Sequence, residues 1–405
     1  MGNGYTHLPT QDPSELHPPS SRTEADISEP QKWNTWFTPN IKILTLKIVP
    51  YLYCLIISSG LSRINIRLGT LKNLFRSRSL SEIKEKRPIV RAPVHSDAIG
   101  ALATVRPGIV LSGGRDKLIA LNNTDTGKCL LRWHGHEKEV TKIGYQNTFA
   151  KHFILSGSRD SQIRLWKFDS PNTLRIFPGH QMSIGGLAMV DQMRFISGAR
   201  DATLRLWDLE TGTCLYAAHH PRNLVVTHIS HCSVNNLLAQ SSEDKQLKIW
   251  DGRDLCLAIQ FPKKNHILTH CDFLPDGNYC ITSSNGFNRD GCEITLWDIR
   301  QQKMMLEYRG HEESVNCAIF LRQQVISKRV LLSVSADRTA RLWNVDDGSC
   351  LWSELIPTAS DLLACVGFSD GNIVVSGLNA TLCNLRILSR AAHPYLQCIS
   401  VQSCT

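Results

Sequence analysis

The chain has 405 residues, is 42% hydrophobic and carries a formal net charge of +9, enough for a substantial core in one large or two ordinary domains. Residues 1–92 hold 13 Lys/Arg against 7 Asp/Glu, leaving only +3 for the remainder, so the basic character is N-terminal and argues against a nucleic-acid surface spread over the rest. The 14 cysteines form no C-x-x-C pair and no Cys/His cluster at zinc spacing, and the first thirty residues lack the apolar core of a secretory signal; a reducing, cytosolic compartment is the expectation.

In chain order, the N-terminal extension, residues 1–87, comes first. It opens "MGNGYTHLPT". Removal of Met1 leaves Gly2 at the terminus with Thr6 four places on, which fits the M-G-x-x-x-[ST] pattern of N-myristoylation and makes Gly2 the candidate lipidation site. An apolar stretch over 43–62 follows. Its uncharged run between Lys47 and Arg63, "IVPYLYCLIISSGLS", is shorter than the ~20 residues that span a bilayer and contains Pro50. Three readings stand for it: an interfacial anchor, a marginal transmembrane helix, and an insertion with no evolved role. The basic linker, 63–87, comes next; residues 60–92 hold nine basic and two acidic side chains. A single acyl chain with a polybasic segment makes a durable attachment to an anionic membrane. Ser77, Ser79 and Ser81 sit among those charges, where phosphorylation would weaken it.

Beyond residue 87 the sequence repeats. "LSGSRDSQIRLWKF", "ISGARDATLRLWDL", "QSSEDKQLKIWDG", "EITLWDIR" and "LSVSADRTARLWNV" align with Trp166, Trp207, Trp250, Trp297 and Trp343, at spacings of 41, 43, 47 and 46. Gly-His lies about 30 residues upstream of several of them, in "HGHEKEV", "PGHQMSI" and "RGHEESV", and a turn Asp recurs at Asp160, Asp201, Asp244 and Asp337. Alternation in "QIRLWKF" sets Ile163, Leu165 and Lys167 against Arg164 and Trp166 across a strand. This pattern resembles the WD40 repeat, in which each repeat makes a four-stranded antiparallel blade. Cysteines recur in "TGKCLLRW", "TGTCLYAA" and "DGSCLWSE", where a small buried hydrophobe is expected.

The resemblance implies that the turn Asp bonds the Gly-His histidine, which meets a strand serine and the Trp indole. In the second blade the set is His136, Ser156, Asp160 and Trp166, with His180 and His311 as the histidines of later repeats. Recurrence of His, Ser and Asp from blade to blade marks a scaffold and not a catalytic triad. Two repeats lack Trp: "LSGGRDKLIALNN" has Asp116 but Asn122 in the Trp slot, and "VSGLNATLCNLRI" has Asn379 and Leu385 in the Asp and Trp slots. Counting these gives an all-β, seven-bladed propeller over 88–390. "RPIVRAPVH" matches the register of "KCLLRWHGH", so residues 88–92 are expected to complete the last blade. Residues 391–405 are expected to lie outside the ring as a C-terminal tail.

Blade five has a long insertion, "NGFNRDG", with 14 steps from Ser283 to Trp297 against 10 from Ser156 to Trp166. It carries Phe287, a candidate partner-binding residue that either stands exposed or folds back onto its blade. Arg115, Arg159 and Arg200 each precede a turn Asp in neighbouring blades and form a candidate patch for an acidic partner. "WDGR" and "WDIR" resemble the WDxR box that docks propellers on the adaptor of cullin-type ubiquitin ligases, with Arg253 and Arg300 as docking arginines. No phosphate-binding Gly-rich loop, nucleophile elbow or metal-ligand spacing appears. The expectation is therefore no enzyme, no cofactor or metal, no nucleic acid and no small-molecule substrate. It is instead a scaffold that binds proteins, tethered to membranes through Gly2. Runs such as "SSNGFNRDGCEITLWDIRQ" resemble a branch of the family that implies ciliary protein trafficking and a cytoplasmic site, peripheral on membranes or at the cilium.

Overall fold

The computed structural model describes residues 87–148, 151–219, 225–321, 329–356, 360–390 and 393–403. Gly2, the apolar stretch 43–62 and the basic linker to residue 86 lie outside the described residues.

The described chain forms seven sheets, each built from four consecutive antiparallel strands, with one further strand added to the last, and no helix occurs among these residues. Blade one comprises Ile99–Arg106, Ile109–Gly114, Ile119–Asn123 and Cys129–Trp133; blade two, Val140–Thr148, Lys151–Ser158, Ile163–Lys167 and Thr173–Phe177. Blades three to six begin at Ile184, Val226, Ile267 and Val315, and blade seven at Leu362. The first strand of each blade packs on the first strand of the next, and Ile99–Arg106 meets Leu362–Gly367, which closes the ring. The chain is a seven-bladed β-propeller.

Burial follows radial position. Second and third strands are sandwiched between neighbouring blades, so both of their faces are covered, as in Ile109–Gly114, which is buried throughout. Trp133, Trp166, Trp207, Trp297 and Trp343 fill these seams and are at most 2% exposed, each contributing roughly 2–3 kcal/mol of hydrophobic stabilisation. Fourth strands face outward, as the largely exposed Cys214–His219 shows. This overturns the expected burial of the recurrent cysteines. Each begins a fourth strand, where Cys129 is half-buried and Cys214 and Cys350 are exposed.

Closure also differs from expectation. After Leu382–Arg390 the chain returns as His393–Gln402, antiparallel to it over its whole length. Residues 393–403 are therefore the fourth strand of blade seven and not a tail outside the ring. Ile89–Arg91 does join this blade, but as a fifth strand, parallel to residues 400–402. The reason is the number of pairings. The C-terminal strand offers ten residues, with Leu396, Cys398 and Val401 packed into the core of blades six and seven; the N-terminal strand offers three. Arg91 then ties the seam to blade one, donating to the carbonyls of Thr124 at 3.1 Å and Asp125 at 2.6 Å.

Candidate interaction site

The polar network is assembled by the tight turn between the second and third strands. In blade two, Ser161 takes a positive φ of 70°. Asp160 supports that turn by accepting from Gln162 N at 2.9 Å and reaches back to accept from Glu137 N at 3.0 Å. Its Oδ2 lies 2.8 Å from His136 Nδ1, His136 Nε2 lies 2.7 Å from Ser156 Oγ, and Trp166 Nε1 donates to Ser156 Oγ at 2.8 Å. With Nδ1 donating to the carboxylate, Ser156 donates to Nε2, and every polar atom in the chain has a partner. Burial pushes the Asp160 carboxyl up, but the hydrogen bond from His136 and those from the backbone outweigh it and bring its pKa down to about 2.

Blades three and six repeat this arrangement. His180 joins Asp201 and Ser197, with Trp207 on the serine; His311 joins Asp337 and Ser333, with Trp343 on the serine. Burial lowers the pKa of His311, partly offset by Asp337. Ser156, Ser197 and Ser333 are fully buried and each accepts from an indole. Such a hydroxyl meets no substrate, so the arrangement holds loops on strands.

Other blades depart from the inferred set. Blade one builds the network from His95, 3.0 Å from Asp116 and 2.7 Å from Ser112, with Asn122 Nδ2 donating to Ser112 Oγ at 2.7 Å in place of an indole. His95 was legible in the register match of "RPIVRAPVH" with "KCLLRWHGH". In blade four Asp244 is buried against Lys248 and Ser242, so a strand lysine supplies the donor to the turn carboxylate that a neutral histidine supplies elsewhere. Trp250 donates to Gln240 Oε1 at 2.7 Å, and Trp297 donates to Thr282 Oγ1 at 2.9 Å. Ser283 is therefore not the indole's acceptor in blade five; it pairs with Thr269 Oγ1 at 2.8 Å.

Antiparallel order places the turn between second and third strands, and the loop entering each blade, on one face of the ring. Arg115, Arg159 and Arg200 converge there on one funnel of about 830 Å³ that Lys138, Glu139 and Lys142 also line. Arg115 and Arg159 both approach Glu139, at 3.4 and 3.2 Å, and Arg200 approaches Glu243 at 3.1 Å. Their side chains remain 58%, 63% and 48% exposed, so these pairs hold little energy and open readily to a competing carboxylate.

Phe287 stands on the same face, because its loop is pinned to the entry loop of blade six. Phe287 N donates to Asp290 O at 2.9 Å and Asp290 N to Phe287 O at 3.0 Å, with Asn288 and Arg289 at φ of 51° and 68°, a primed hairpin turn. Arg289 N donates to Glu312 O at 2.9 Å, and its guanidinium pairs with the Glu312 carboxylate. The aromatic side chain is 67% exposed on this fixed loop. Arg253 and Arg300 are exposed in the turns between third and fourth strands, on the opposite face. Among the described residues, no group of three or more His, Cys, Asp or Glu is placed to hold a metal ion.

The family model "WD domain, G-beta repeat" matches residues 127–167, 171–208, 212–251 and 302–344. Each match runs from the fourth strand of one blade through the third strand of the next. The chain is 31% identical over 129 residues to nuclear distribution protein nudF of Aspergillus niger, covering 31% of this chain and 27% of that protein. It is 29% identical over 111 residues to human WD repeat and SOCS box-containing protein 1, covering 27% and 24%. It is 26% identical over 158 residues to the guanine nucleotide-binding protein subunit beta of Dictyostelium discoideum, covering 38% and 43%. The matches span between about a quarter and two-fifths of these relatives' lengths. Four matched repeats and a seven-bladed ring of four-stranded blades make the chain similar to WD40-repeat proteins.

Proposed function

We propose that the chain is a non-enzymatic scaffold that seats an acidic segment of a partner protein on the funnel face and is tethered to membranes through Gly2. A WD40 propeller is a protein-interaction scaffold in general terms. The observation that carries the finer reading is the funnel's charge: Arg115, Lys138, Lys142, Arg159 and Arg200 against Glu139 among its lining residues. Phe287, fixed and exposed on the same face of the ring, supplies an aromatic anchor there. Gly2 and the basic linker supply two weak membrane signals that act together. Its work would lie in ciliary protein trafficking at a cytoplasmic, membrane-peripheral site, a reading that rests on the resemblance of "SEDKQLKIWDGR" and "SSNGFNRDGCEITLWDIRQ" to one branch of the WD-repeat proteins.

The test is proximity labelling with wild type, Gly2→Ala and a variant with Arg115, Arg159 and Arg200 changed to Glu. The arginine variant is expected to lose acidic partners and Gly2→Ala to lose membrane neighbours. An unchanged partner set in the arginine variant would sink the funnel reading.

A second reading, substrate receptor of a cullin-type ubiquitin ligase, draws on exposed Arg253 and Arg300 in the two WDxR boxes and on the relative that joins WD repeats to a SOCS box. It requires adaptor binding in lysate that disappears when both arginines become alanine.

A further inference from the structure

Every first strand carries a bulge near its start, and the residues that follow it are Ala101, Lys142, Gly186, His228, His270, Cys317 and Ala364. They form one layer around the ring axis. Side chains of this layer meet neighbours across the seams: the His228 and His270 rings lie 3.8 Å apart, and Cys317 Sγ lies 3.6 Å from Sγ of Cys365, the residue after the layer's Ala364 on the next blade. The buried His270 imidazole, whose Nδ1 has no hydrogen-bond partner, acts electrostatically on Cys317. Gly186 leaves the position after Lys142 empty of side chain, and the Lys142 ammonium acts electrostatically on Cys317 and Cys271 across the axis. Burial pushes the Lys142 pKa down to about 8, which leaves it largely protonated at neutral pH.

Two thiols in contact, with an imidazole and an ammonium arranged about one of them, make an activated pair and not inert packing. We propose that Cys317 and Cys365 form a dithiol that hydrogen peroxide oxidises to an inter-blade disulfide, Cys317 attacking and Cys365 resolving. The hydrogen bond that Cys365 donates holds the Cys317 thiol well below the ordinary range, with His270 adding to it, while burial pushes Cys365 well above it. Both residues are 3% exposed. The funnel reaches inward as far as Lys142 but is not lined by either thiol, so peroxide would enter through transient opening of the seam between blades six and seven.

Atoms and electrons balance in two stages. Cys317 thiolate attacks a peroxide oxygen, forming S–O as O–O breaks, and the departing hydroxide takes up the proton that Cys317 released. Cys365 sulfur then attacks Cys317 sulfur, S–S forms as S–O breaks, and that hydroxide leaves with the Cys365 proton. The two thiols lose two electrons, and one peroxide becomes two waters. The sulfurs need to close by roughly 1.5 Å to reach disulfide bond length.

The test uses the full-length reduced chain exposed to graded hydrogen peroxide, with remaining thiols alkylated and peptides mapped without reductant. Exposed Cys214, Cys256 and Cys350 act as internal references. The expected result is a linked Cys317–Cys365 peptide formed at least tenfold faster than the reference thiols are oxidised. Cys365→Ser should stop at a sulfenate on Cys317 that a dimedone probe captures. Lys142→Met, which leaves both thiols, should slow the reaction several-fold with no change in melting temperature. Oxidation of the reference thiols while Cys317 and Cys365 remain alkylatable would overturn the proposal. An unaltered rate in Lys142→Met would overturn the activation by charge. Peptide mapping of the wild type needs no variant, so it decides between disulfide and free thiols even where a substitution fails to fold.

Discussion

Replacing Asp160 by alanine removes the acceptor that joins the turn, the entry loop and the histidine of blade two. Three donors lose their partner: His136 Nδ1 at 2.8 Å, Glu137 N at 3.0 Å and Gln162 N at 2.9 Å. His136 and Asp160 side chains are 0% and 3% exposed, so water does not replace the carboxylate at the imidazole. A buried donor left unsatisfied costs about 1–3 kcal/mol. The carboxyl's own titration gives a second measure. A pKa near 2 in place of 3.8 corresponds to roughly 2 kcal/mol of native-state stabilisation at neutral pH. The sign follows from the depression: the contribution is present in full above the unfolded pKa and is lost as pH falls through the folded one. Asp160→Ala is therefore expected to lower the melting temperature by about 2–5 °C at pH 7, while the exposed Lys138→Ala changes it by less than about 1 °C. The stability gap between wild type and Asp160→Ala, from urea midpoints, should stay constant from pH 7 to about 5 and shrink as pH falls from about 4 towards 2. Equal melting temperatures for the two variants at pH 7, or a gap that widens in acid, would refute the network as the source of stability.

Lys248→Met leaves the Asp244 carboxylate buried without its cation and is expected to cost about 3–5 kcal/mol by urea unfolding, with Asp244→Asn in the same chain recovering much of it. Truncation after residue 390 removes the strand that pairs with Leu382–Arg390 and exposes Leu385 and Ile387 beneath Leu396 and Cys398; it should abolish the cooperative melt and raise dye binding. Phe287→Ala should leave the melting temperature within about 1 °C of wild type, since the side chain is 67% exposed, yet weaken capture of a partner seated on the funnel face by tenfold or more. Wild type co-expressed with the myristoyltransferase should pellet with anionic vesicles and be partly released by salt. Gly2→Ala should stay in the supernatant, and pelleting equal to wild type would remove the lipid as the main anchor.

The repeat itself was legible without coordinates, because one blade is one supersecondary unit and its signals lie within some forty residues. Gly-His, turn Asp and Trp recur in register; that local spacing gives the blade count, and the family resemblance it carries implies the His136–Asp160–Ser156–Trp166 bonding. It also placed Arg115, Arg159 and Arg200 at the same turn of three blades, so their convergence on one face followed from symmetry. What that spacing leaves open is radial position and the seam. Cys129, Cys214 and Cys350 look like core residues by chemistry, but the fourth strand that carries them has no blade outside it to cover them. Competition between residues 89–91 and 393–402 for the last sheet is settled by how many ladder bonds and apolar side chains each brings against blade seven. Lys142, His270, Cys317 and Cys365 come from four different blades. Their meeting depends on bulges that set each first strand at the same height around the axis, and only the closed ring brings those heights together.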